Sequence, residues 1–480
     1  MKRNLIIVFL IIGISQIYTQ VQFGEAQILS SSFNPRASEC LDAADMDNDG
    51  DIDLIAASYN GEIFLYENIN GNGDFTEQVI AAYDQTLGSP ISVCAVDLNN
   101  DGYHDIFYSG FAVNAVGWFE NLQANNSFGN INVITQSRIN GESVAHHSNC
   151  CYSADLDGDG DNDIMYGALE RICWHENTDG VGTFSTQKII STSMQYPNYI
   201  YSFDIDSDGD ADVCCAGDDK IVWYENTDGA GNFSDEKIIS NSTIIAWSLF
   251  VADINSDQHL DILSASYQDN KFAWYENING TGAFSNQKII SRSSNGLYSI
   301  SAADLDNDGD MDVLSASHWD NKIVWYENLN GEGAFGSERL ISNSVSGAML
   351  VYTVDVDADN DDDVIAVSYD NQEILLFKNQ VITSVEWNGN SMPSRHILLQ
   401  NYPNPFNPST TVKYTLYKSG NVTLKIYNLS GEEVETLVSE YKVAGEHEVK
   451  WQPEGLPSGI YLARLKAGAI IKTIKLVLLK

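Results

Sequence analysis

The chain has 480 residues and carries 67 acidic against 25 basic side chains, a formal net charge of −42. Hydrophobic residues make up 43%, enough to build cores and to exclude disorder as the main state, and the length favours two or three domains. A surface this acidic repels phosphate backbones and attracts cations, so nucleic acid is excluded as a partner.

The first elements in chain order are targeting signals. Lys2 and Arg3 precede a short apolar run, Leu5 to Ile12, and residues 1–20 read as a secretory signal cleaved after Ser15 or a few residues later. The run is too short for a bilayer span and no later stretch is long and apolar enough, so no transmembrane anchor is expected. The first cysteine is Cys40, which argues against a lipid-anchored N-terminus.

From there to residue 380 one unit recurs seven times. Its mark is D-x-[DN]-x-D-x-x-x-D, beginning at Asp45, Asp97, Asp155, Asp204, Asp253, Asp304 and Asp355, with spacings of 49 to 58 residues. A period near 50 suits a propeller blade of four strands. The sixth copy shows the unit. A strand from Leu297 to Ala303 leads to the acidic loop, and MDVLSAS (311–317) follows it. KIVWYEN then carries Trp325, Tyr326, Glu327 and Asn328, and a glycine turn leads to Phe335 and a last strand ending at Leu340-Ile341. β-branched and aromatic residues fill these runs and turn residues bound them. The seventh copy ends at Phe377-Lys378-Asn379 without a fourth strand, whereas FGEAQIL (23–29) has the fourth-strand pattern before the first loop. The N-terminal strand is therefore expected to complete the last blade and close the ring, which removes an exposed edge.

The acidic loops are candidate metal sites. The side chains at positions 1, 3, 5 and 9 are Asp45, Asp47, Asp49 and Asp53 in the first loop, then Asp97, Asn99, Asp101 and Asp105; Asp155, Asp157, Asp159 and Asp163; Asp204, Asp206, Asp208 and Asp212; Asp253, Asn255, Asp257 and Asp261; Asp304, Asp306, Asp308 and Asp312; and Asp355, Asp357, Asp359 and Asp363. Oxygen-only ligation in a flexible loop selects Ca²⁺, up to one per blade. A helix–loop–helix calcium site would need Glu at position 12, where the first copy has Ala56 and the sixth Ser315. Of the 67 acidic residues, 32 lie in these loops, and such crowded like charge needs a counter-ion. The fifth loop, with Asn255 and with Gln258 where glycine is expected, should bind most weakly.

The loops, their spacing and the strand pattern resemble the FG-GAP/VCBS repeat family, including the calcium-bearing blades of integrin α-subunits. The resemblance implies an all-β seven-bladed propeller over residues 21–380, with each acidic loop joining the first and second strands on one face. It implies little about activity, since such propellers serve as adhesive ectodomains, glycan-binding proteins and polysaccharide lyases.

The opposite face is where the repeat breaks down and where specificity can reside. Its loops carry Tyr59, Trp247, Tyr267, Tyr298, Trp319 and Tyr369, together with His146 and His147 in the longest loop. Flat apolar rings suit stacking against sugars, with Asp269, Asn270, Asp320 and Asn321 as polar neighbours. The expected function is recognition of a glycan or a surface protein, with no catalytic residue assigned. The alternative is a calcium-dependent polysaccharide lyase, which needs a base, an acid and a cation to neutralise the uronate. Trp118, Trp174, Trp223, Trp274 and Trp325 hold one repeat position, which points to packing between blades. Gly331-x-Gly333-x-x-Gly336 matches a dinucleotide fingerprint in spacing only, because it precedes a strand.

Residues 381–396 read as a linker. Residues 395–480 carry 11 Lys+Arg and 7 Glu with no Asp, against 14 basic and 60 acidic residues in the rest, a shift that marks a second domain. Alternating runs such as TTVKYTL, NVTLKIYNL and GIYLARL predict a small Ig-like β-sandwich over 397–480. NPFNPST, LPSGIYLARL and their C-terminal position resemble the type A sorting domain of the type IX secretion system. That resemblance implies contact with the secretion machinery and a secreted or outer-surface location in a Gram-negative bacterium.

Overall fold

The computed structural model describes residues 21–35, 40–82, 89–110, 116–122, 127–135, 138–139, 142–143, 150–168, 170–380, 397–398, 406–416, 420–428, 433–442, 445–453, 455–467 and 470–478. It is all-β apart from one short 3₁₀ turn at Ile278–Gly280. The proposed signal, the linker, His146 and His147 lie outside the described residues. The described residues form two compact units, one within Val21–Val381 and one within Ile382–Lys480.

The first unit is a seven-bladed propeller. Blade 1 is the antiparallel sheet Leu41–Ala44, Asp53–Ser58, Glu62–Asn68 and Phe75–Ala81, and the same order recurs around the ring. Second strands such as DLIAAS, DILSAS and DVLSAS are buried along their whole length. Their unbroken small and β-branched residues suit strands covered on both faces. Fourth strands such as Lys237–Ser240 are only half covered.

Blade 7 is made of Ala348–Val354, Asp363–Ser368, Glu373–Phe377 and, as its outer strand, Gln27–Ser30. Gln27 pairs with Leu376 and Ile28 with Leu375, antiparallel. Seven apolar clusters, each shared by two neighbouring blades, complete the ring. The one that closes it joins Leu54, Phe64 and Tyr66 of blade 1 to Ile365, Ile374 and Leu376 of blade 7.

The repeated tryptophans serve this packing. Trp118, Trp174, Trp223 and Trp325 are at most 5% exposed. A Cβ on Gly231 of blade 4 would lie 2.4 Å from the Trp174 ring of blade 3, and Gly231 sits at φ +73°. Only glycine combines that backbone conformation with so close an approach. The same pairing links Gly182 to Trp118 and Gly282 to Trp223.

The second unit is a β-sandwich. One sheet joins Ile397–Leu398, Thr410–Leu416 and Gly445–Trp451. The other joins Glu433–Lys442, Gly420–Tyr427, Gly459–Ala467 and Ile470–Leu478. Its core gathers Phe406 from NPFNPST, Trp451, and Tyr461 from GIYLARL, with ring centroids 5.3 Å (Phe406–Trp451) and 5.5 Å (Trp451–Tyr461) apart. The motif residues thus hold this unit together.

Candidate functional site

Each acidic loop folds around its own carboxylates. In the first, the Asp45 carboxylate accepts the N–H groups of Asp49 (3.1 Å) and Gly50 (3.0 Å), and Asp49 accepts that of Asp51 at 2.9 Å. Positions 4 and 6 are left-handed, as at Asn48 (φ 59°) and Gly50 (φ 96°). Gln258 takes φ 73° at position 6 of the fifth loop, a conformation that costs a residue with a Cβ.

Position 9 is the hinge of the loop. Asp53 is 1% exposed; its Oδ2 accepts the Met46 N–H (3.0 Å) and its Oδ1 the Asn68 N–H (2.8 Å). Both oxygens keep a lone pair for a further partner. Burial pushes the carboxyls of Asp53, Asp105, Asp163, Asp212, Asp261 and Asp363 up to about 7 and that of Asp312 to about 9, while backbone N–H donors pull the other way.

The carboxylates converge. Asp45, Asp47 and Asp53 each offer an oxygen within 4.8 Å of the others, as do Asp155, Asp157 and Asp163, and Asp204, Asp206 and Asp212. Asp304, Asp306 and Asp308 form a further group. Oδ1 of Asp157 and of Asp206 is buried and accepts no hydrogen bond. An orphaned anionic oxygen among other carboxylates is costly unless a cation is bound, so the residues fit a hard divalent ion.

Two participants escaped the sequence reading. The first is the asparagine at the end of each third strand or two residues beyond it. Its side-chain amide donates to the carbonyl at position 2 of the preceding blade's acidic loop, as Asn226 to Leu156 (2.8 Å), Asn277 to Ile205 (2.8 Å) and Asn379 to Leu305 (2.8 Å). Its backbone N–H meanwhile binds the position-9 carboxylate of its own blade, as Asn226 binds Asp212 at 2.7 Å. The recurrence of this asparagine in all seven repeats was the available signal.

The second is the residue just before it. Glu225 joins Asp206 and Asp208 in one carboxylate group and also pairs with Lys237 at 2.5 Å. The Lys237 ammonium lies 4.0 Å above the Trp223 ring. Glu176–Lys188 and Glu276–Lys288 repeat the pair at 2.6 Å. In blade 7 the position is Lys378, whose Nζ lies 3.2 Å from Asp357 Oδ2 of the seventh acidic loop.

At the other end of the blades the structure brings Trp247, Tyr267, Tyr298, Trp319 and Tyr369 together with His318. Trp247 stacks on Tyr298 (centroids 5.4 Å, 17°), Tyr267 meets Tyr298 edge-on at 4.9 Å, and His318 bridges Tyr298, Trp319 and Tyr369 at 5.4, 4.6 and 5.7 Å. Trp247 and Tyr298 each sit where the first strand skips a residue in its pairing, and such bulges re-aim side chains. Trp319 is 61% exposed. Tyr59 occupies the corresponding turn of blade 1, where its N–H donates to the Asn34 carbonyl.

The polar neighbours expected to serve a ligand are engaged by the scaffold. Asn270 and Asn321 accept the N–H groups of Gly296 and Gly347 at 2.8 Å, Asp320 accepts that of Asn295 at 2.6 Å, and Asp269 pairs with Lys271 at 2.6 Å.

Comparison with known proteins bears on both units. The FG-GAP-like repeat profile matches residues 45–108, 155–215, 204–264, 253–315 and 304–366. The profile of the secretion system C-terminal sorting domain matches residues 400–479. No curated protein matches the chain. Among solved structures, BBS1N in complex with ARL6DN is similar over 76% of this chain and 98% of its own, with TM-score 0.52 and 12% identity. An Agrocybe aegerita lectin recognising non-reducing terminal N-acetylglucosamine aligns over 65% and 82%, with TM-score 0.49 and 19% identity. PorZ, a surface component of the type IX secretion system of Porphyromonas gingivalis, aligns over 89% and 58%, with TM-score 0.43 and 13% identity.

Proposed function

We infer a function from the premise that the chain belongs to the FG-GAP-like repeat family and ends in a secretion-system sorting domain. That tail marks proteins exported by the type IX system and released or held at the cell surface. No helix among the described residues is long and apolar enough to cross a membrane.

On this basis the protein is an exported recognition module that is loaded with calcium and reads a glycan. Calcium is held by the side chains at positions 1, 3, 5 and 9 of the acidic loops. It supplies the positive charge that lets these carboxylates lie together, and so fixes each first-to-second strand connection. The observation that carries the glycan reading is the contiguous cluster of Trp247, Tyr298, Tyr267, His318, Trp319 and Tyr369. Its exposed Trp319 and half-covered rings present flat faces on a surface otherwise built of repeats, and sugar rings stack on such faces. Lys271 and Lys322 beside it are paired with Asp269 and Glu338, so neither stands ready to neutralise a uronate as a lyase requires.

A glycan array probed with the calcium-loaded chain tests the reading, with Trp319→Ala and Tyr369→Ala as variants. Binding to a defined glycan set that both variants lose, at unchanged calcium content, supports it. Binding that both variants retain places the ligand elsewhere.

A further inference from the structure

The ring surrounds a chamber on its axis that is open to solvent. First-strand residues of all seven blades line it, and its volume is about 410 Å³, a size suited to a small ligand. One register is decisive, the third residue before each acidic loop. Going round the ring it reads Asp42, Cys94, Tyr152, Tyr201, Phe250, Ser301 and Tyr352, and every one of these lines the chamber. Four of the seven are aromatic and one is a carboxylate.

Among the described residues, Asp42 is the only acidic side chain of the lining, and no Lys, Arg or His joins it there. Its oxygens accept three hydrogen bonds, from Ala43 N–H (2.9 Å), Ala95 N–H (2.9 Å) and Tyr352 O–H (3.1 Å). Two fixed N–H donors, with a phenol beside them that can also donate, favour the ionised carboxylate. Burial opposes that charge and holds the carboxyl above its ordinary range. Around it stand aromatic walls, with Tyr152 and Tyr201 packed at 4.6 Å between centroids.

We propose that this chamber binds a small organic ammonium ion, with Asp42 as counter-charge and the faces of Tyr152, Tyr201, Phe250 and Tyr352 as walls. A carboxylate walled by aromatic side chains, with the imidazole of His104 outside the lining the weakest of the groups acting on it, is the chemistry that recognises an alkylammonium group. A calcium ion is ill served there, because one carboxylate and neutral phenols fall short of the six to eight oxygen ligands it takes. The acidic loops begin three residues beyond this layer, and their field concentrates cations at that mouth of the axis. The site is separate from the surface aromatic cluster and does not depend on the glycan reading.

The test is calorimetric titration of the full calcium-loaded chain with tetramethylammonium chloride and with n-butylammonium chloride, each against sodium chloride of equal ionic strength. One saturable site per chain is expected, weakened at least tenfold in Asp42→Asn and in Tyr201→Leu and unchanged in the Trp247→Ala/Trp319→Ala double variant. Calcium content and melting temperature establish that each variant is folded; should Asp42→Asn fail to fold, Tyr201→Leu decides. Absence of saturable heat, equal affinity in the folded variants, or loss only in the double variant overturns the proposal. So does a Zn²⁺ or Cu²⁺ site abolished by Cys94→Ser while both ammonium ions stay silent.

Discussion

The side-chain amide of Asn68 donates a 2.7 Å hydrogen bond to the carbonyl of Val356, a residue 288 positions further along the chain. The Asn68 backbone N–H binds Asp53 at the same time. One residue therefore ties the first acidic loop to the seventh across the closure of the ring. Its six counterparts do the same between blades adjacent in sequence, so loop geometry and blade packing are set by the same side chain.

Asn226→Ala should therefore damage two things at once. It removes the donor to the buried Leu156 carbonyl, and leaving such a group unsatisfied costs about 1–3 kcal/mol. Thermal denaturation should show the loss, and a calcium titration should show weakened binding in the neighbouring loops. A variant with a lower melting temperature and unaltered calcium affinity would separate the two roles and refute the coupling.

Calcium removal should lower the melting temperature steeply, since an ion that binds only the folded state stabilises it by mass action. Asp206→Ala deletes a side chain whose Oδ1 is buried without a partner, and elemental analysis should then find one equivalent fewer. The remaining sites should persist, as in other repeat arrays. A melt indifferent to chelator, with no bound calcium, would sink the metal assignment.

The seventh loop should be the exception. Lys378 places its ammonium against Asp357, where blades 1 to 6 carry Glu67, Glu120, Glu176, Glu225, Glu276 and Glu327. That ammonium supplies the positive charge a metal would otherwise provide. The weakest site is thus expected in the seventh loop rather than the fifth: wild-type protein should bind its seventh equivalent weakly or not at all, and Lys378→Glu should add one tight equivalent. An unchanged stoichiometry and affinity profile in Lys378→Glu would refute this.

The pH dependence has a definite sign. In the calcium-free fold the position-9 carboxyls of Asp53, Asp163 and Asp212 are pushed from 3.8 up to about 7. Between roughly pH 4 and 7 the folded chain thus holds protons that the unfolded chain has released, so calcium-free stability falls as pH rises through that window. Calcium needs the same groups deprotonated, and its binding must expel those protons. The melting-temperature gap between calcium-loaded and chelated protein should be narrow at pH 5 and wide at pH 8. A gap independent of pH would mean that these carboxyls do not exchange protons for metal.

Much of the fold could be read before any coordinates. Carboxylates spaced every 50 residues and short β-branched runs are local signals, and the surplus FGEAQIL strand exposed the ring closure because the seventh copy lacked one. The site was legible only in part. Asn68 finds Val356 through a bond 288 residues long in sequence, and an amide carries no hydrophobic period to betray it. Lys378 was visible as a break in the repeat, but its effect depends on where its ammonium lies. Asn270 and Asn321 read as ligand contacts because exposed turn amides often are. Both also hold glycine N–H groups of the next blade through Oδ1, a demand set by how blades abut.

Of the ring's strands the outer one of blade 7, Gln27–Ser30, is made before the rest, and its partner, Glu373–Phe377, is made nearly last. The earliest strand must therefore wait, unpaired, through the synthesis of some 340 residues before its seat exists. Blades 1 to 6 hold all their strands in one continuous stretch and can form as they emerge, but the circle cannot lock until the two ends meet. Such distant pairing is slow to form. A chain marked for export is thereby kept open-ended until its last blade is made, and a copy cut short within the ring betrays itself by a bare edge on each side of the gap.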